Sequence, residues 1–165
     1  MKKSLILNHK QISRKIKRIA LQVQENNFEE PEIYMIGVMP KGKVLAERLF
    51  AELEKNCTAK IHLQTLTLDK DAPLQKEITC SFPVGDIKNK PVVLVDDVLN
   101  TGKTLVYAAG FLLQSEPKTL QTVTLVDRRH RKFPVRADFV GLTLATTLQE
   151  HIEVAFGKED AVWLK

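Results

Sequence analysis

From Asn8 to about Asn26 the apolar residues Ile12, Ile16, Ile19, Ala20 and Val23 recur at helical spacing, with Lys and Arg opposite them. The spacing predicts an amphipathic helix. Ile33 to Val38 is rich in β-formers and runs into the breaker Pro40-Lys41-Gly42, which predicts a strand and a turn. A second helix is expected over Val44 to Lys55. Ala59 to Leu68 alternates as a strand does, with Ile61, Leu63, Thr65 and Thr67 on one side. Asp69 to Glu77 is polar and holds one proline, so it reads as a mobile loop. A short strand is expected over Ile78 to Phe82.

Val92-Val93-Leu94-Val95 is apolar without a break, as a strand buried on both faces requires. Two acids, Asp96 and Asp97, stand where that strand should end. A helix follows over Leu105 to Gln114, closed by Pro117, and then strands over Leu120 to Val126 and Phe139 to Leu144. Ile152 to Phe156 and Ala161 to Leu164 read as short terminal strands. Strands alternating with helices predict an α/β fold, a mainly parallel twisted sheet with helices on both faces. No repeat, linker or low-complexity segment divides the chain. Its 165 residues suit a single domain, 1–165, with a full core.

Composition narrows the class without naming it. Apolar content of 44% and charged content of 27% are ordinary for a globular protein. No apolar stretch approaches the roughly 18 residues of a membrane span, so no membrane partner is expected. The apolar stretch near the N-terminus is too short for a signal peptide. Cys57 and Cys80 have neither metal nor redox spacing, which fits reduced thiols and a cytoplasmic location. The net charge of +5 suits an anionic partner, whether a polyphosphate or a nucleic acid. Seven Lys/Arg and no acid lie between Lys2 and Arg18. A second basic group is Arg128, Arg129, Arg131, Lys132 and Arg136. Each group reads equally well as a solvated face.

The candidate chemistry lies at the carboxyl ends of strands, where ligands bind in open parallel sheets. Adjacent carboxylates repel, so Asp96 and Asp97 together imply a partner. A sugar diol offers two O–H donors to such acceptors, in charge-assisted bonds. Val98, Leu99 and Asn100 lead into Thr101-Gly102-Lys103-Thr104 and a helix N-terminus, where free N–H groups and the helix dipole favour a phosphate. Gly102 lets the backbone curl, Thr101 and Thr104 add hydroxyls, and Lys103 adds charge. Gly-Lys-Thr also ends the P-loop of NTPases, but that motif needs glycine where Asp97 stands. Pro40, Lys41 and Gly42 form a second loop at the same edge. Lys41 and nearby N–H groups suit a diphosphate, though the segment also reads as a plain strand-to-helix turn.

Asp96 to Thr104 and the loop before Val44 resemble the type I phosphoribosyltransferases, which use 5-phosphoribosyl 1-diphosphate (PRPP). Val126-Asp127-Arg128-Arg129-His130-Arg131-Lys132-Phe133-Pro134-Val135-Arg136-Ala137-Asp138-Phe139-Val140-Gly141 further resembles the bifunctional pyrimidine operon attenuator / uracil phosphoribosyltransferase branch. The likeness runs from Ile6 to about Val154. It implies a fold with a small base-binding hood and a pentosyl transfer from PRPP to a nucleobase, uracil first, with release of diphosphate. Asp97, Asp96 and Lys41 would be catalytic. Asp96 and Asp97 would hold Mg2+, directly or through water, and Asp69 to Glu77 would close over the site. The base would lie near Asp127, Arg128, Ala145, Thr146, Thr147 and Leu148. Purine enzymes resembling this segment commonly carry Lys where Asp127 stands, which argues against a 6-oxopurine. The branch also binds a messenger RNA leader, and the matching positions are Arg14, Arg18, His130, Arg131 and Arg136. The alternative is thus an RNA-binding regulator that uses the PRPP site as a nucleotide sensor. Leu21 and Leu142 depart from the branch's cations. Asp69 and Lys70 replace its Tyr-Arg pair, and Ala145 and Leu148 replace Pro and Lys. A homodimer or homotetramer is implied.

Overall fold

Successive apolar residues of one strand face opposite sides of a sheet, so an unbroken apolar run needs a layer on each side. The computed structural model, which describes residues 3–165, supplies both layers. Its strands are β1 (Ser4–Leu7), β2 (Glu32–Val38), β3 (Lys60–Thr67), β4 (Thr79–Cys80), β5 (Pro91–Leu99), β6 (Thr119–Asp127), β7 (Phe139–Thr143), β8 (Ile152–Ala155) and β9 (Ala161–Leu164). Its helices are α1 (His9–Asn26), α2 (Lys41–Leu53) and α3 (Lys103–Leu113), with a 3-10 turn at Val84–Ile87.

The main sheet has the order β4-β3-β2-β5-β6-β7. Only β4 runs antiparallel to its neighbour; β2, β3, β5, β6 and β7 pair in parallel. Val93, Val95, Val123 and Leu125 pack against α1 and α2 on one face. Val92, Leu94, Ile36 and Val38 pack with Leu105, Ala108 and Leu112 of α3 on the other. Each fully buried Leu or Val of this kind contributes about 1.5–3 kcal/mol. The start of α1 is set by a capping box. The Gln11 N–H donates to Asn8 Oδ1 at 2.9 Å, and the Asn8 N–H donates to Gln11 Oε1 at 2.9 Å.

The second sheet, β1-β9-β8, is antiparallel and joins both ends of the chain. It forms the small hood. Buried Val154 and Val162 seat it on the main core. Asp160, 3% exposed, fastens its turn. That carboxylate accepts from Arg48 at 3.0 Å and from the Gly157 N–H at 3.0 Å, and the Asp160 N–H donates to His9 Nδ1 at 3.1 Å.

Most expected elements are present, with three differences. β1 is not foreseen by the hydropathy pattern, because four residues at a sheet edge carry too little period to register. β5 does not end at Val95. It continues through both aspartates, since Asp96 pairs with Thr124 and Val98 with Val126. The helices α2 and α3 begin at Lys41 and Lys103, before the first apolar residues that mark them in the sequence.

Candidate active site

β5 carries Asp96 and Asp97 to the carboxyl edge of the sheet, where they are 2% and 8% exposed. The Asp97 N–H donates to Asp96 Oδ1 at 3.0 Å. Burial, and then the neighbouring Asp97 charge, push the Asp96 carboxyl up to about 7, while the Lys70 ammonium, 3.5 Å away, acts against them. Gly42, at the start of α2, lies directly on this strand. A Cβ there would sit 2.4 Å from the Val95 carbonyl oxygen and 3.1 Å from Asp96 Cα. The absence of a side chain therefore brings the loop Met39–Gly42 against the acidic pair. The Met39–Pro40 peptide is cis.

Past the acids the chain turns at Gly102, whose φ of 88° lies in the left-handed region. Gly102 is also the N-cap of α3 and has no side chain to cap it; Thr101 Oγ1 accepts from the Lys103 N–H at 3.3 Å. The first residues of α3 line a cavity of about 40 Å3, bounded by every residue from Val98 to Leu105 together with Asp96. The outer side of the loop is braced. The Thr101 carbonyl accepts from the N–H groups of Lys132 (2.9 Å) and Phe133 (3.1 Å), and Val135 packs where a Gly102 side chain would be.

The lysines around this cavity are all engaged. Lys103 Nζ donates to the Asp71 carbonyl, and Lys70 Nζ lies on Asp96. These two contacts dock the Asp69–Glu77 loop against the cradle. Asp69 folds the loop tip by accepting from the N–H groups of Ala72 and Asp71, at 3.0 Å each, and those bonds hold its carboxyl below the ordinary value. Lys41 Nζ donates to the Val154 carbonyl at 2.7 Å. It therefore points to the hood strand β8, not into the cavity next to Asp96.

Of the residues assigned to the base, Asp127 and Arg128 end β6 or follow it, and Ala145 to Leu148 lie in the irregular segment after β7. Arg128 is 4% exposed. Its Nε donates to Thr146 Oγ1 at 2.6 Å, Nη1 to Asn100 Oδ1 at 3.2 Å, and Nη2 to the carbonyls of Thr147 (2.8 Å) and Glu150. Asp127 is taken up by Arg131 in a two-pronged pair at 2.9 and 2.6 Å. Burial raises the Asp127 carboxyl, but Arg131 and the Arg129 amide outweigh it and hold the group below the usual range. An open cavity of about 330 Å3 adjoins the cradle, sharing Asn100 and Thr101, and is lined further by Arg128, His130, Arg131, Lys132 and Leu148. Asp127, Ala145, Thr146 and Thr147 do not line it.

The residues assigned to RNA divide. Arg14 and Arg136 are exposed. Arg131 faces Asp127, and His130 Nε2 lies 2.7 Å from the Thr146 carbonyl. Arg18 donates to the carbonyls of Val140 (2.6 Å) and Gly141 (3.0 Å) on the edge strand β7. Sequence reasoning missed the bracing role of Lys132, Phe133 and Val135, and the Arg128–Asn100 contact. No local signal marks them, because each joins segments distant in the chain.

Residues 3–159 match the model of the phosphoribosyl transferase domain. The chain belongs to the phosphoribosyltransferase family. It is 34% identical to the Bifunctional protein PyrR of Macrococcus caseolyticus, over 97% of this chain and 95% of that one. Identity to the Bifunctional protein PyrR of Clostridium novyi is 35%, over 97% and 96%. Among solved structures, the hypoxanthine phosphoribosyltransferase of Trypanosoma cruzi superposes with a TM-score of 0.78 at 18% identity, covering 90% of this chain and 84% of that one. A hypoxanthine-guanine phosphoribosyltransferase of Bacillus anthracis gives 0.74 at 24%, with the same coverage. At such identities these two speak for the phosphoribosyltransferase fold alone. Among the described residues no helix is long and apolar enough to cross a membrane.

Proposed function

We propose that this phosphoribosyltransferase transfers the 5-phosphoribosyl group of PRPP to uracil and releases diphosphate. The observation that carries this reading is the buried pair Asp96 and Asp97 at the strand end that leads into the N-terminus of α3, with Asp96 and the first residues of that helix lining one cavity. Carboxylates accept from a diol, and a helix N-terminus donates to a phosphate. Ribose 5-phosphate carries both groups a few bonds apart.

Bond breaking at the anomeric carbon builds positive charge on the sugar, so the protein's task is to position and to stabilise charge. Asp96 and Asp97 hold the diol beneath that carbon. Asp97, the more exposed of the two, also serves proton transfer at the base. Thr101 to Thr104 hold the 5-phosphate, Lys103 supplies charge beside it, and the backbone around Gly42 borders the diphosphate, while Lys41 is engaged on the hood strand β8. The Asp69–Glu77 loop excludes water, which would otherwise capture the cationic sugar. Among the described residues no group of three or more His, Cys, Asp or Glu could hold a metal ion. Mg2+ fits nonetheless, because it is commonly held by one or two carboxylates plus substrate oxygens, and Asp96 and Asp97 provide the pair. When bound it neutralises charge on the departing diphosphate.

Uracil is favoured over a purine by the Val126–Gly141 segment and by Asp127, which Arg131 occupies. A screen of free bases with PRPP and Mg2+ tests the proposal. Uridine monophosphate is the expected product; turnover of purines alone, or of no base, overturns it. A second reading, an RNA-binding regulator, is favoured by the exposed Arg14 and Arg136 on a chain of net charge +5. For that role, binding of a pyrimidine leader RNA must weaken steeply with salt, with a log–log slope of about −0.7 per phosphate contacted. A homodimer or homotetramer, which the resemblance implies, is checked by light scattering on the eluting protein.

A further inference from the structure

We infer that Arg128 is a positioning residue that couples the phosphate cradle to the base cavity, so that filling the cradle organises the base loop. The inference rests on the phosphoribosyl reading above and adds to it a mechanical link between its two halves.

The guanidinium is 4% exposed and spends its donors on the protein itself: Asn100 on one side, Thr146, Thr147 and Glu150 on the other. A side chain so engaged keeps at most one donor, on Nη1, for a base. Asn100 borders both the phosphate cavity and the larger cavity beside it. The segment from Thr146 to Glu150 lies outside any strand or helix, so no ladder holds it. Its other bonds are few: Glu150 Oε2 accepts from the Thr147 N–H at 2.7 Å, the Glu150 N–H donates to the Thr147 carbonyl at 3.4 Å, and His130 touches the Thr146 carbonyl. Arg128 contributes more bonds to this loop than any other described side chain. Its fork is planar and rigid, so a shift of Asn100 is passed to the loop with little loss. The Arg128 N–H also donates to the Leu99 carbonyl at 2.9 Å, which fixes the root of the side chain to the same strand end that carries Asn100.

Hydrogen exchange on the full chain tests the coupling, with PRPP and Mg2+ as the probe. In the wild type PRPP should slow exchange at residues 100–105 and also at 145–150. In Arg128→Lys, whose compact ammonium cannot span both sides, the first effect should remain and the second should vanish. The KM for the base should rise about tenfold while that for PRPP stays within about twofold. Asn100→Ala guards against a folding defect in the first variant. It keeps the other bonds of Arg128, so exchange at 145–150 without PRPP should match the wild type, and the PRPP-dependent slowing there should be lost. Protection of 145–150 that survives in both variants, or that is missing in the wild type, overturns the inference. If PRPP leaves 100–105 unprotected in the wild type, the phosphoribosyl reading fails first and the coupling falls with it.

Discussion

Asp96 shows how one residue can serve a site against the interest of the fold. Its carboxyl is pushed from 3.8 to about 7 by burial and by Asp97. Between those values the folded protein retains a proton that the unfolded chain has released. Stability is therefore full below about pH 4, falls as pH rises toward 7, and stays low above it. Asp96→Asn removes the cost. In chelator, its melting temperature at pH 8 should exceed that of the wild type by at least about 4 °C, and the gap should close toward pH 4. Calorimetry across pH checks this, and an unchanged gap would mean that Asp96 is well solvated. Asp97→Asn should keep the fold, raise the melting temperature at pH 8 by less than Asp96→Asn does, and cut turnover by at least about 10²-fold. Residue identities of this sort were legible in the sequence, since the acids, Gly102 and the threonines form a local motif. Their partners were not. Asp127 and Arg131 read separately, as a base contact and an RNA contact. What joins them is the turn at Arg129, whose φ of 61° is uncommon for a residue with a side chain. Nothing in the sequence announces that turn.

At the scale of elements, the site exists because α2 starts on top of β5. Gly42 permits that approach, with the Val95 carbonyl where a methyl group would go. Gly42→Ala must push the helix off the strand, because the obstacle is backbone and cannot swing aside. The expected result is a loss of about 1–3 kcal/mol in chemical denaturation and a sharp rise in KM for PRPP. Normal stability with normal PRPP binding would show that the loop has slack. Elements with long periodic faces, such as α1 with Ile12, Ile16, Ile19 and Val23, were legible in full. The ends of β5 and α2 were not. Apolar pattern marks where a core begins, whereas Asp96, Asp97 and Lys41 extend their elements through backbone pairing that polar residues join equally well.

At the scale of the molecule, polar contacts tie the hood to the starts of α1 and α2: Asp160 meets Arg48 and His9, Lys41 donates to the Val154 carbonyl, and Arg48 to the Gly157 carbonyl. Asp160→Ala leaves Arg48 and the Gly157 N–H without their acceptor, while the backbone bond to His9 remains. Stability should drop by about 1–3 kcal/mol, since the Gly157 N–H loses its acceptor while the partly exposed Arg48 can turn to water, and proteases should cut between β8 and β9 first. Denaturant titration and limited proteolysis check it. The alternation of strands and helices made the main sheet legible; the hood was expected from the resemblance and its strands β8 and β9 from their hydropathy, but β1 was not, because its pairing with β9 joins segments from opposite ends of the chain.

That pairing sets Ser4 opposite Leu164. The polypeptide is thus nearly a closed ring, and a short peptide bridging its two tails would complete the circle. Opening that circle at an exposed bend elsewhere should yield a rearranged chain order with the same architecture. Trimming the first strand instead should strip the last one of its neighbour and unravel the lid-like layer above the catalytic rim.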